Sequence, residues 1–121
     1  MPHLVLEYSS NLAHVVDFSQ LLKDLHCTLG SVESFETDRI KSRAIEIDRF
    51  YVGRERDRGF AHVSLVFSAG RNRALRRDLG EQILDKLMTG VAPEGVKVSR
   101  SIEIRQFESG MYLNDYELLN D

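Results

Sequence analysis

An internal repeat constrains the fold of this chain more than any other feature of its sequence. Residues 42–50 return as residues 99–107, an offset of 57 residues, with six of nine positions identical. A fainter likeness places residues 2–9 over residues 61–68, at an offset of 59. Each half therefore predicts a strand, a helix and a second strand, with pseudo-repeats at about 1–52 and 59–108.

Helical periodicity fills the space between the two strands of each half. Asp17 and Gln20 are an expected capping pair for the first helix, and Gly30 its expected stop. Asn72 is the expected N-cap of the second helix, which Gly90 ends. The apolar positions at helical spacing are Val15, Phe18, Leu21, Leu22, Leu25 and Leu29, then Leu75, Leu79, Ile83 and Leu87.

Two β-α-β units in one sheet predict the fold class. Each unit normally forms a right-handed parallel crossover, so we expect an α+β domain over 1–121, with a four-stranded mixed sheet and two helices on one face. Strand alternation predicts a polar open face that includes Glu46 and contacts water or partner subunits. The predicted helix-covered face comprises Leu4, Leu6, Tyr8, Ile45, Ile47, Val63, Leu65, Phe67, Ile102 and Ile104.

Composition excludes several classes of function. With 16 basic and 19 acidic residues the net charge is −3, which argues against nucleic acid as a partner. No apolar stretch reaches the roughly 18 residues of a membrane span. Cys27 is the single cysteine, so no intrachain disulfide can form and we expect a cytoplasmic location. The histidines lack metal-site spacing and no phosphate-binding glycine motif is present, so we expect chemistry without metal or cofactor.

Two segments lie outside the repeat. The connector 51–59 alternates in charge between glycines, which is typical of a solvated loop. The tail 109–121 is rich in apolar side chains, and we expect it to dock on a neighbour. Those side chains are Met111, Tyr112, Leu113, Tyr116, Leu118 and Leu119.

Pro2 is the candidate catalytic residue. Removal of Met1 would leave Pro2 with a secondary amine at the start of a strand, and burial near cations would lower its pKa towards the working range of a general base. The alternative is that Pro2 only begins a strand, where its missing N–H does no harm.

Arginines and a lysine supply candidate anion-binding groups. Arg71 follows a strand and precedes a helix, where exposed N–H groups attract anions, although a solvated arginine is an alternative. Arg39, Lys41 and Arg43 crowd the start of the second strand. Arg43 has a repeat mate in Arg100, so a structural role shared by both halves competes with binding.

These features together resemble the tautomerase superfamily, and within it the 5-carboxymethyl-2-hydroxymuconate isomerase family. The likeness rests on the order of residues 1–3, 40–43, His62, 69–71 and 102–104 along the chain. The resemblance implies a cofactor-independent homotrimer that shifts a proton in an unsaturated 2-hydroxy or 2-oxo (di)carboxylic acid from aromatic catabolism.

The resemblance also implies roles for individual residues. Pro2 would serve as base and then acid, and Arg71 would bind a carboxylate of the small-molecule substrate. The family pattern has arginine where this chain has Lys41 before Arg43, and Arg39 is placed to compensate. The alternatives are a phenylpyruvate-type tautomerase or hydratase on the same site, or a non-catalytic trimeric module that binds small acids.

Overall fold

The elements of the computed structural model, which describes residues 1–55 and 57–115, follow the predicted order. They are β1 (His3–Ser9), α1 (Phe18–Gly30), β2 (Lys41–Ile47), β3 (Gly59–Ser68), α2 (Arg73–Gly90) and β4 (Val98–Phe107), with short 3-10 turns at Ser10–Leu12 and Thr37–Arg39. One sheet has the order β2-β1-β3-β4, with parallel outer pairs and an antiparallel central pair. The predicted α+β fold of two β-α-β units is confirmed.

Both helices begin at the predicted caps and end at the predicted glycines. Asp17 Oδ1 accepts a hydrogen bond from Gln20 N at 3.0 Å, and Asn72 Oδ1 accepts one from Leu75 N at 2.8 Å. Each cap satisfies a backbone N–H that has no partner within its own helix. The prediction that Val15 belongs to the apolar face of α1 is wrong, because Val15 precedes the helix and is 55% exposed.

The core fills the space between the two helices and one face of the sheet. Gly80 allows α2 to lie close to β4, since a Cβ at this position would be 3.0 Å from Ile104 Cδ1. The apolar residues with no exposed surface are Leu4, Leu6, Leu12, Leu25, Leu29, Ala61, Val63, Leu65, Ile83, Leu87 and Val91. The predicted apolar faces of β1, β3 and both helices therefore meet in one core, except that Leu75 in the first turn of α2 is 38% exposed.

The predicted side-chain orientation in β2 is wrong. The register places Leu4 beside Ser42, so Ile45 and Ile47 lie on the open face of the sheet rather than in the core. Ile45 is accordingly 43% exposed. Glu46, expected on the open face, lies on the helix-covered face instead.

The cause is a mismatch between the sequence repeat and the strand pairing. Leu4 pairs with Ser42, whereas Val63 at the matching position of β3 pairs with Ile102. Equivalent positions of β2 and β4 are therefore 60 residues apart, while the sequence likeness has an offset of 57. The difference is an odd number of residues, and an odd shift turns every side chain to the other face. In β4 the prediction is right, because Ile102 packs against the core.

The open face of the sheet carries a polar network across β3 and β4. His62 Nδ1 lies 2.7 Å from Ser101 Oγ, and His62 Nε2 lies 3.2 Å from Glu103 Oε1. Ser64 Oγ and the Arg105 guanidinium also donate to this carboxylate. Hydrogen bonds from His62, Arg105 and Ser64 hold the pKa of Glu103 below its usual range.

Candidate active site

Strand pairing brings four of the five predicted site residues to one end of the sheet. Pro2 directly precedes β1, and its carbonyl accepts a hydrogen bond from Lys41 N at 3.0 Å. Arg39 lies just before this point of β2. Because β3 is antiparallel to β1, the end of β3 lies beside the start of β1, and Arg71 follows three residues later. Arg43 lies further along β2, next to Val5.

Pro2 is fully buried, and Met1 covers its nitrogen. Met1 is partly buried against the core, and its amino group donates a hydrogen bond to Arg39 O at 2.8 Å. In this form the prolyl nitrogen belongs to a peptide bond and has no lone pair for a proton. Removal of Met1 would convert it to an amine and vacate the space beside it.

The side chain of Arg71 is fixed against the connection between α1 and β2. Its Nε donates to Ser34 Oγ at 3.2 Å, Nη2 donates to Ser34 O at 3.0 Å, and Nη1 donates to Ser68 O at 3.3 Å. The guanidinium carbon lies 4.4 Å from the ring centroid of Phe35 and 5.2 Å from that of Phe67. Burial lowers the pKa of Arg71, and these contacts leave two of its five N–H donors for an anion.

His3 connects the cations of β2 with the C-terminal tail. Arg43 Nη1 donates to His3 Nδ1 at 3.2 Å, so in neutral His3 the proton is on Nε2, which donates to Tyr112 Oη at 2.9 Å. Burial lowers the pKa of His3, and so do the charges of Arg43, Lys41 and the N-terminal amine. The environment of the His3 side chain, on the open face of the sheet, is therefore partly buried and positively charged.

The predicted cations divide between the two faces of the sheet. Arg71 contacts Phe67 of the core, whereas Arg43 lies on the open face with His3. Arg43 and Arg100 do not share the structural role that the repeat suggested. Arg100 lies on the helix-covered face, and its Nη1 donates to Val91 O at 2.6 Å, just beyond α2.

Tyr112 is a site residue that the sequence did not reveal. The tail was expected to dock on a neighbour, and within the described chain Tyr112 packs on Phe107, with the two ring centroids 4.9 Å apart. No periodicity could link Tyr112 to His3, which is 109 residues away in the chain. Met111 and Leu113 are exposed on either side of it. Three further tail residues of that expectation, Tyr116, Leu118 and Leu119, lie outside the described residues.

Neither a metal-ligand cluster nor a membrane-spanning helix occurs in the described parts of the chain. Over residues 1–55 and 57–115, no group of three or more His, Cys, Asp and Glu side chains is placed to hold a metal ion. In the same ranges no helix has the length and apolar character needed to cross a membrane.

This fold, with its proline and arginines at one end of a mixed sheet, is that of the tautomerase-type isomerases. The structure of the macrophage migration inhibitory factor from Trichinella spiralis matches it with a TM-score of 0.70 at 15% identity, over 93% of this chain and 96% of that chain. A crystal structure of a 5-carboxymethyl-2-hydroxymuconate isomerase from Deinococcus radiodurans R1 matches with a TM-score of 0.86 at 26% identity, over 94% and 88%.

Sequence comparison narrows this class to one family. Residues 2–117 match the model of the 5-carboxymethyl-2-hydroxymuconate isomerase family, and the chain belongs to that family. The 5-carboxymethyl-2-hydroxymuconate Delta-isomerase of Escherichia coli is 28% identical over 109 residues, which cover 88% of this chain and 86% of the relative. The resemblance inferred from the sequence is confirmed, and the chain is an isomerase of this family.

Proposed function

We propose that this protein is a cofactor-independent isomerase that moves a proton within an unsaturated 2-hydroxy or 2-oxo acid with more than one carboxylate, such as 5-carboxymethyl-2-hydroxymuconate. The observation that carries the proposal is the burial of Pro2 at the end of the sheet to which strand pairing also brings the positions of Arg39, Lys41 and Arg71. Family membership and the names of the relatives support this class of substrate.

The surroundings of Pro2 favour a neutral amine after removal of Met1. An exposed α-amino group has a pKa of about 7.7–8.0, and burial and nearby cations both disfavour its protonated form. The next residue, His3, also has a lowered pKa, first through burial and then through Arg43 and Lys41, although its side chain lies on the open face of the sheet. A prolyl amine in this position would titrate closer to neutral pH, where a general base is most effective.

The proposed reaction needs only proton transfer and charge stabilisation. The prolyl nitrogen takes the proton from the 2-hydroxyl group of the dienol, and the resulting dienolate is stabilised by the cations. The same nitrogen then returns the proton to a carbon of the conjugated chain, giving the 2-oxo isomer without loss of any atom. Arg71 would hold one carboxylate through its remaining N–H donors, and Lys41 or Arg43, with Arg39 nearby, would hold the other.

We further propose that the enzyme works as a cytoplasmic homotrimer in aromatic catabolism. Support for self-association comes from the open sheet face, where Ile45 is 43% exposed beside the polar network of β3 and β4. Both outer strands, β2 and β4, also have an edge that no other strand of the described chain covers. Exposed apolar side chains and unpaired strand edges are typical of surfaces that bind another subunit.

The test replaces Pro2 with alanine and measures isomerisation of 5-carboxymethyl-2-hydroxymuconate by ultraviolet absorbance. Intact-mass measurement first establishes that Met1 is absent from both proteins. The exchange should lower kcat/KM by more than about tenfold without changing the oligomeric state. Pro93→Ala is the matched control, since it removes the other proline of the chain. Equal turnover by Pro2→Ala and the parent protein would remove Pro2 from the mechanism.

A substrate panel separates this proposal from its alternatives. Preferred turnover of 5-carboxymethyl-2-hydroxymuconate supports the proposed substrate class, whereas preferred turnover of phenylpyruvate enol indicates a tautomerase for monocarboxylates. Binding of both acids with no turnover by the Met1-free protein would indicate a non-catalytic module.

A further inference from the structure

A groove lies between the first turns of α2 and the outer strand β4, on the helix-covered side of the sheet. Its volume is about 300 Å³, which is at the lower end of the size of small-molecule sites. Arg71 is not among its lining residues. The groove is lined by Arg73, Arg76, Arg77, Gly80, Glu81, Leu84, Ile102 and Ile104.

The charges of the groove are unbalanced in favour of anions. Glu81 is its one acidic residue, and Arg77 Nε already bonds to Glu81 Oε1 at 3.1 Å. Arg73 and Arg76 have no carboxylate partner within the described residues. The Nε atom of Arg76 is buried and has no hydrogen-bond partner there. An unpaired buried donor is unfavourable, and an ionised acceptor in the groove would relieve it.

The remaining surface of the groove is apolar, and Gly80 contributes no side chain to it. Gly80 lets Ile104 approach the backbone of α2 closely, because a Cβ at position 80 would lie only 3.0 Å from Ile104 Cδ1. Ile102 and Ile104 are only partly buried, and Leu84 adds a further apolar surface. Apolar surface beside two arginines suits a flat organic molecule that carries a carboxylate.

We propose that this groove is a second binding site, for a small planar organic carboxylate such as an aryl or unsaturated acid. The carboxylate bonds to Arg73 and Arg76, and the body of the ligand lies on Ile102 and Ile104. This site goes beyond the proposed isomerase site, because neither Pro2 nor Arg71 contributes to it.

The test titrates phenylacetate into the full-length protein and follows the isoleucine methyl groups by NMR. The methyl signals of Ile102 and Ile104 should shift in a saturable way, while that of Ile45 on the open face should not. Arg76→Gln should weaken binding by at least about tenfold, because a hydrogen bond between charged groups is lost. Arg54→Gln, at an exposed position of the connector, is the matched control.

The outcome of each binding measurement tests the second site whether or not the protein has the proposed isomerase activity. Binding that persists in Pro2→Ala supports a separate site, even in a protein without isomerase activity. Equal affinity of Arg76→Gln and the parent protein would overturn the proposal. So would unshifted Ile102 and Ile104 signals, or evidence that a second copy of the chain covers these residues in solution.

Discussion

Gly59 begins β3 at a point where the chain has no room for a side chain. A Cβ at this position would lie 2.9 Å from Leu12 Cδ2, 2.9 Å from Leu12 Cγ and 3.0 Å from Leu12 Cδ1. Leu12 has no exposed surface, so it cannot turn outward to make room. Gly59→Ala therefore forces a rearrangement in the core rather than at the surface.

The expected cost follows from two opposing effects. Overpacking of a closed core costs about 1–3 kcal/mol. The smaller conformational entropy of alanine in the unfolded chain returns about 0.4–1 kcal/mol, because the backbone at Gly59 is outside the left-handed region. We therefore expect Gly59→Ala to lower the free energy of unfolding by about 1–2 kcal/mol.

Urea denaturation at a fixed protein concentration measures this change, and a double-mutant cycle tests its cause. Leu12→Ala alone should cost about 2–5 kcal/mol, because it empties a fully buried position. It also removes the three atoms that a Cβ at position 59 would meet. In the Leu12→Ala background, Gly59→Ala should be neutral or stabilising, so the coupling is at least about 1 kcal/mol.

Two results would refute this reasoning. A neutral or stabilising effect of Gly59→Ala in the parent protein would show that Leu12 moves easily. An equal cost in both backgrounds would show that the strain does not come from Leu12.

Two further predictions concern pH and helix capping. Folding lowers the pKa of His3. As the pH falls below about 6.5, His3 therefore binds a proton more readily in the unfolded chain than in the folded chain. The free energy of unfolding should therefore fall as the pH falls through this region, and His3→Gln should reduce that slope; an unchanged slope would contradict the cause. Asn72→Ala should lower the free energy of unfolding by about 0.5–2 kcal/mol, because Leu75 N loses its acceptor, and an unchanged urea midpoint would show that water replaces the cap.

Local signals were sufficient to predict the helices, their caps and the order of helices and strands along the chain. Asp17 and Asn72 act through hydrogen bonds within three residues, so the sequence contains the whole interaction. The face of β2 is different, because it depends on register between strands. The repeat aligned Ile45 with Ile102, but neither residue encodes the three-residue shift that sets their neighbours.

The candidate site shows the same division between local and distant information. The sequence predicted the segments that contain Pro2, Lys41 and Arg71, but not the sheet order that brings them to one end of the sheet. The division of the cations between two faces, and the contact of Tyr112 with His3, depend on packing among segments far apart in the sequence. Such contacts have no periodic or motif signature.

Because β2 pairs with β1 in a different register from that of β4 with β3, the two halves of this domain place different kinds of side chain under their helices. A symmetric protein assembled from two first halves would set the side chains of Ser42, Ala44 and Glu46 beneath both helices. A protein assembled from two second halves would place Ile102 and Ile104 beneath both helices, and each helix would then cover an apolar core. Residues 59–107 are therefore a better template for a single-motif ancestor or a minimal design than the opening half of the chain.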